Sequence, residues 1–353
     1  MLFRVTAILL TFALPTKAAT FAYVSLSGEN RIAVYSVTDE NGDLKFASDI
    51  KIDSSPGSLV TSRDGKFLYA SFRSTGELAS FRIVGNKLEF INKVEAGKDP
   101  AFIALDRTGK YLLNAYYVAS KVSVHKLTAD GQISERPLQE IKTADKAHAI
   151  LTDATNRFAF VPHTGPNRIF QFRFNQETGL LSANQPPSIF TGENTGPRQF
   201  AFHSATDSLF FDYEQGSAIA RFELDTETGR LTFKQRLSTL PEGFEGTNSN
   251  ARIEIAPNGR FVYVANRGHN SIAGFRVNQK TGSLSKISIT PTEETPRGFT
   301  IHPSGRFLYA AGQGSEKVAA YRIDPTNGTL IRFATYTVGD QPWWITIANT
   351  SEI

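Results

Sequence analysis

The stretch Gly196-Pro197-Arg198-Gln199-Phe200-Ala201-Phe202-His203-Ser204-Ala205-Thr206-Asp207-Ser208-Leu209-Phe210-Phe211-Asp212-Tyr213-Glu214 decides how the chain is read. It holds two short apolar runs, Gln199 to Phe202 and Leu209 to Tyr213, separated by a polar turn, which is the pattern of a β-hairpin. Arg198 stands just before the first run and Glu214 just after the second. In an antiparallel pair those two ends share one edge, so Arg198 and Glu214 are expected to open onto the same surface.

The hairpin recurs. Its copies centre on Asp64-Gly65-Lys66-Phe67-Leu68-Tyr69, Thr108-Gly109-Lys110-Tyr111-Leu112-Leu113, Thr155-Asn156-Arg157-Phe158-Ala159-Phe160, Asn258-Gly259-Arg260-Phe261-Val262-Tyr263 and Ser304-Gly305-Arg306-Phe307-Leu308-Tyr309. With Gly65, Gly109, Asn156, Asp207, Gly259 and Gly305 as markers, the separations are 44, 47, 51, 52 and 46 residues. A period of this size is that of one four-stranded propeller blade. A third, alternating strand such as Val318-Ala319-Ala320-Tyr321 follows each hairpin. Then come turns of the Asp-x-x-Thr-Gly-x-Leu type, as at Asp225 to Leu231, and a fourth strand.

The two chain ends supply halves of one more unit. Phe21-Ala22-Tyr23-Val24 reads as a second strand without its first, and Trp343-Trp344-Ile345-Thr346-Ile347 as a first strand without its second. Joining them removes two exposed sheet edges. The expected fold is therefore all-β, a seven-bladed β-propeller closed by pairing the C-terminal strand with the N-terminal strands. Six or eight blades is the competing count.

Composition agrees: aromatic residues make up 11% and there is one methionine in 353 residues. There is no cysteine, so disulfides and thiolate metal sites are excluded. Met1 to Ala19 has the parts of a secretory signal: Arg4, an apolar run from Val5 to Leu14, and the small-residue end Ala18-Ala19. Cleavage is expected after Ala18 or Ala19, leaving residues 20–353 as a single propeller domain in the periplasm or secreted. No apolar run of spanning length follows, so no stable membrane insertion is expected after cleavage. Loss of Arg4 and Lys17 lowers the formal net charge from +4 to +2. That is too weak a charge to imply a nucleic-acid partner.

The repeat also locates one face. Residues opening the first strands are Gly57, Ala101, His148, Arg198, Ala251, Arg297 and Trp343. Those closing the second strands are read as Leu26, Phe72, Tyr116, His163, Glu214, Asn266 and Gly312, with Arg73, Arg267 and Gln313 as successors. Glu214, His148 and Arg267 are the candidate catalytic residues. Arg198, Arg297, His163, Asn266, Tyr116 and Trp343 are the candidate substrate-binding residues. One carboxylate, two imidazoles and several guanidinium groups suit an anion or a polar oxygen. The competing reading is that arginine–glutamate pairs merely lock neighbouring blades. No cofactor is expected, and no metal, since no ligand spacing supports one. Serine-hydrolase and zinc-protease motifs are absent from the sequence.

At these residues the chain resembles the lactonase family of seven-bladed β-propellers. Its members include propeller-type 6-phosphogluconolactonases, periplasmic gluconolactonases and a carboxy-cis,cis-muconate lactonising enzyme. The resemblance rests on Gly196-Pro197-Arg198 leading to Glu214, on Asn266-Arg267-Gly268-His269-Asn270-Ser271-Ile272, and on Thr295-Pro296-Arg297-Gly298-Phe299 through Gln313-Gly314-Ser315. It implies that His148, Arg198, Glu214 and Arg267 hold and open a lactone. Two departures concern the pocket wall: Gln199 where the family usually has His, and His163-Thr164-Gly165-Pro166-Asn167-Arg168 where relatives carry an Asp-Leu-Gly-x-Asp-Arg run. With an exported chain, the resemblance points to a small-molecule sugar lactone such as glucono-1,5-lactone, with 6-phosphogluconolactone and a non-catalytic binding platform as alternatives.

Overall fold

Each hairpin marker sits where the chain must turn with a left-handed backbone. Gly65, Gly109, Gly259 and Gly305 have φ of 66°, 72°, 70° and 71°, and Asn156 and Asp207 adopt 60° and 46°. Gly, Asn and Asp are the residues that reach this region at least cost, which is why the sequence allows little else there. In the computed structural model, which describes residues 19–203 and 205–350, these turns join the first and second strands of successive blades.

Seven four-stranded antiparallel sheets result, and among the described residues the helical content is one 3-10 turn, Ser27–Glu29. Blades 2 to 7 run in chain order over residues 56–95, 100–142, 151–190, 197–238, 249–291 and 296–337. Blade 1 is composite: Pro342–Thr350 forms its innermost strand beside Ala19–Leu26, from Ala19 opposite Thr350 to Leu26 opposite Pro342. The ring is thus closed as the sequence implies. Of the expected leader, only Ala19 lies within the described residues.

Neighbouring blades interlock through the two motifs that repeat in the sequence. In five blades the glycine of the outer turn lies on the aromatic ring that begins the second strand of the preceding blade, whereas Gly282 of blade 6 faces Ser208 at that place. A Cβ added at Gly42 would stand 2.6 Å from Phe307, at Gly131 2.3 Å from Phe67, at Gly179 2.4 Å from Tyr111, at Gly229 2.1 Å from Phe158 and at Gly328 2.4 Å from Phe261. Hydroxyls add direction: Tyr263 donates to the Gly328 carbonyl at 2.8 Å and Tyr309 to that of Gly42 at 2.7 Å. The buried faces between blades are filled by Phe, Tyr, Val, Leu and Ala at alternate positions along the inner strands.

Five of the seven blades open their inner strand on a proline, whose missing N–H leaves no ladder donor unpaired there, namely Pro56, Pro100, Pro197, Pro296 and, in blade 1, Pro342. Just beyond each, the register shifts by a bulge, as between Pro197 and Phe200. These bulged ends all lie on one face of the ring. In blade 4 the regular inner strand shrinks to Leu151–Thr152, and His148 precedes it, held by its N–H to the Pro162 carbonyl at 3.0 Å.

The interlock predicts a position-specific cost. Gly229→Ala meets both a left-handed backbone and the buried Phe158 ring, and should destabilise by about 3 kcal/mol. Gly85→Ala, with φ of 57° but nothing within 4 Å of the added carbon, should lose only about 1 kcal/mol. Denaturant unfolding of both variants checks the difference, and equal losses would show that the aromatic contact carries no weight.

Candidate active site

Seven blades deliver one residue or more each to the mouth at the bulged face. Tyr213, the last residue of the strand Ser208–Tyr213, lies opposite Pro197, and Arg198 occupies the bulge that follows. Glu214 comes next after Tyr213 and turns to the other side of the chain. Its Oε1 accepts Arg267 Nη2–H at 2.6 Å, and its Oε2 lies 3.6 Å from Arg198 Nε. Arg267, from blade 6, also donates to the Asn250 carbonyl at 2.8 Å. One carboxylate therefore joins two arginines from two different blades.

The rest of the rim is continuous. Arg297 of blade 7 lies over the Trp343 ring of blade 1, with Cζ 3.8 Å from its centroid. Arg73 of blade 2 lies 5.5 Å from the same ring on one side and 5.7 Å from Tyr117 of blade 3 on the other. Arg73 is itself anchored by Asp99, whose Oδ2 accepts Nη2–H at 2.8 Å. Tyr117 meets the His148 ring edge-on at 5.6 Å. His148 of blade 4 completes the circuit back to Arg198. Such cation–aromatic contacts hold guanidinium groups without consuming their N–H donors.

Burial controls the charges. Arg198 is only 2% exposed, and loss of solvent pulls its pKa down to about 10, with Arg267 adding to the fall and Glu214 and Asp212 opposing it. It stays charged at neutral pH. Burial, then Arg198, Arg73, Arg297 and Arg267, drive His148 well below its usual 6.5, so its imidazole is neutral. Burial would raise the Glu214 carboxyl, but Arg198 and Arg267 outweigh it and hold the group ionised. Several buried polar atoms make no hydrogen bond within the protein: His148 Nδ1, Arg198 Nε and Nη1, Glu214 Oε2, Arg267 Nε and Arg297 Nε. Unpaired buried donors are costly, so a cluster of them marks a place built for an oxygen-rich guest. Among the described residues, no group of three or more His, Asp or Glu is placed to hold a metal ion.

The structure brings together Glu214, His148, Arg267, Arg198, Arg297 and Trp343. It does not bring in three others. Tyr116, His163 and Asn266 are fully buried and turn away from the mouth. The Tyr116 hydroxyl pairs with Ser123 Oγ at 2.8 Å. His163 bonds the Val161 carbonyl and Thr143 Oγ1, each at 2.9 Å, and its ring packs 4.5 Å from Phe170. Asn266 Nδ2–H donates to the Thr239 carbonyl at 2.9 Å. The reason is a register difference. Phe72, Tyr116 and Tyr213 lie opposite the prolines that open the first strands, His163 and Asn266 lie opposite Ala147 and Asn250, the residues just before His148 and Ala251, and that position faces between blades. The hairpin of blade 5 is one residue tighter beyond its marker, so counting from Asp207 lands on Glu214 instead of Tyr213. In blades 2, 3, 5 and 6 the mouth is lined by the next residue, Arg73, Tyr117, Glu214 and Arg267. Strand alternation applied to Arg73 and Arg267 carries this signal. Asp212, buried beneath Arg198, was hidden inside an apolar strand run.

Comparisons with known proteins agree with the fold. The family model described as Lactonase, 7-bladed beta-propeller matches residues 24–347. A 6-phosphogluconolactonase of Pectobacterium carotovorum is 31% identical over 326 residues, which cover 92% of this chain and 97% of that protein. One from Serratia proteamaculans is also 31% identical, over 92% of this chain and 98% of its own length. Among solved structures, the periplasmic gluconolactonase of Pseudomonas aeruginosa superposes with a TM-score of 0.85 at 23% identity, covering 94% of this chain and 99% of that one. At that identity the likeness speaks for the fold alone. With a family model spanning nearly the whole propeller and relatives matched end to end, the chain belongs to the lactonase family of seven-bladed β-propellers.

Proposed function

We propose that the protein hydrolyses a sugar lactone to its open-chain acid, with an aldonolactone such as glucono-1,5-lactone as the substrate and the periplasm as its place of action. Family membership supports lactone hydrolysis. The single observation that carries the site is the set of unpaired N–H groups of Arg198, Arg267 and Arg297 converging with a neutral His148 around Glu214. The leader-like Met1 to Ala19 supports export, where an unphosphorylated lactone is the accessible substrate.

In this reading the carbonyl oxygen of the lactone points at the free guanidinium donors, which stabilise the negative charge that develops as water attacks. His148, neutral and with Nδ1 free, takes a proton from the attacking water and returns it to the ring oxygen as the carbon–oxygen bond breaks. Water is consumed, one acyl–oxygen bond opens, and a hydroxy acid leaves. Glu214 stays ionised, fixes the two arginines, and accepts a hydrogen bond from the water or a substrate hydroxyl. Glu214→Gln and Arg267→Ala should each lower kcat/KM for ring opening by about 10²–10³. Turnover unchanged in both variants would remove the site from the reaction.

One observation favours a second reading, 6-phosphogluconolactone as substrate. Four arginines face the mouth, yet Asp99 and Glu214 are its directly paired acids, and this surplus suits a phosphate. Parallel assays of both lactones above their spontaneous hydrolysis decide between them. A kcat/KM at least tenfold higher for the phosphorylated lactone, lost selectively in Arg297→Ala, is the outcome expected of the second reading. Parity or preference for the neutral lactone is expected of the first.

A further inference from the structure

Beneath Arg198 lies a second carboxylate that the reaction just described does not use. Asp212 is completely buried. Strand alternation places it on the same side of its strand as Glu214, with Tyr213 turned to the other. Its Oδ1 accepts the Gln199 N–H at 2.6 Å, and its Oδ2 meets no donor.

The backbone task at this position needs no charge. Blade 2 has the same bulge between Pro56 and Leu59, and there the hydroxyl of Ser71 accepts the Ser58 N–H at 3.2 Å. A neutral serine thus satisfies the bulge. Blade 5 instead carries an ionisable group into a dry interior, where an unpaired charge is costly. The charged groups that face Asp212 are Arg198 on the adjacent strand, Glu214 beyond its own strand, and Arg267 from blade 6. Gln199 beside it also contacts Arg252 of blade 6, which is paired with Glu254.

We propose that Asp212 is a positioning residue that sets how strongly Arg198 holds an anion in the mouth. Protonated, Asp212 leaves the guanidinium charge directed at the guest. Ionised, it draws on Arg198 from below and weakens that grip. Burial pushes the Asp212 carboxyl up to about 7, against the pull of Arg198 and the Gln199 N–H. Glu214 remains ionised and His148 neutral around that pH, so Asp212 is the mouth acid whose charge changes there. By linkage, an anion bound at Arg198 favours the protonated form of Asp212, and raising the pH releases the anion.

This inference rests on the proposed site but is testable without turnover. Sulfate, dianionic from pH 6 to 8.5, and gluconate, the carboxylate product of the preferred lactone, serve as probes, with Trp343 fluorescence beside Arg297 as one readout and calorimetry as another. Wild type should bind both on the order of tenfold more weakly at pH 8.5 than at pH 6. Asp212→Asn keeps an acceptor for the Gln199 N–H and should bind tightly at both pH values. Asp212→Ser, the residue blade 2 uses, should behave likewise and guards against a folding failure of the first variant. A flat wild-type profile, a slope retained in both variants, or no anion binding at either pH overturns the inference. Anion binding with the expected slope but no lactone opening would sink the proposed reaction and leave Asp212's role standing. Lactone opening with a flat profile would do the reverse.

Discussion

Closure of the ring is the constraint on which the rest depends. Ala19–Leu26 and Pro342–Thr350 pair along their whole lengths although more than 300 residues separate them in the chain. That pairing inserts Trp343 between Arg297 of blade 7 and Arg73 of blade 2. Without it the rim would be an open arc, two sheet edges would be exposed to other chains, and the guanidinium groups on either side would lose the ring that separates them. The fold and the site are therefore held by the same strand pair.

The mouth concentrates like charge in a place of low solvent access, and this needs a physical account. Glu214 and Asp99 each neutralise part of it through direct ion pairs. Trp343 and Tyr117 contribute π-faces that cushion Arg297 and Arg73 while leaving N–H groups free. What is left over, donors on three arginines that no protein group satisfies beside a neutral imidazole, is costly in itself. It is the preorganised electrostatics that a developing oxyanion would repay. Asp212 fits the same logic one layer down, where a carboxylate replaces the hydroxyl that suffices elsewhere.

The blade count, the turn chemistry and the joining of the chain ends were legible because each is a local requirement repeated many times. A left-handed turn demands Gly, Asn or Asp, and a closely seated outer turn demands Gly against an aromatic ring. Such demands leave the same letters at a fixed period. Arg198, Glu214, His148, Arg267, Arg297 and Trp343 were likewise visible as polar or aromatic residues at strand ends on one face. Tyr116, His163 and Asn266 were misplaced because a period counted in residues does not register a hairpin one residue tighter. Side-chain direction alternates with every residue, so an error of one reverses the face.

The amino-acid sequence by itself determined the all-β repeat, the closing of the ring and the polar character of one mouth, since those follow from backbone geometry and alternation within each unit. Only the tertiary structure decided which of two adjacent residues per blade faces the axis, that Glu214 bridges Arg198 and Arg267, and that Asp212 lies buried below them. Those outcomes depend on bulges, on the relative placement of blades and on the loss of solvent, none of which is a property of any one segment.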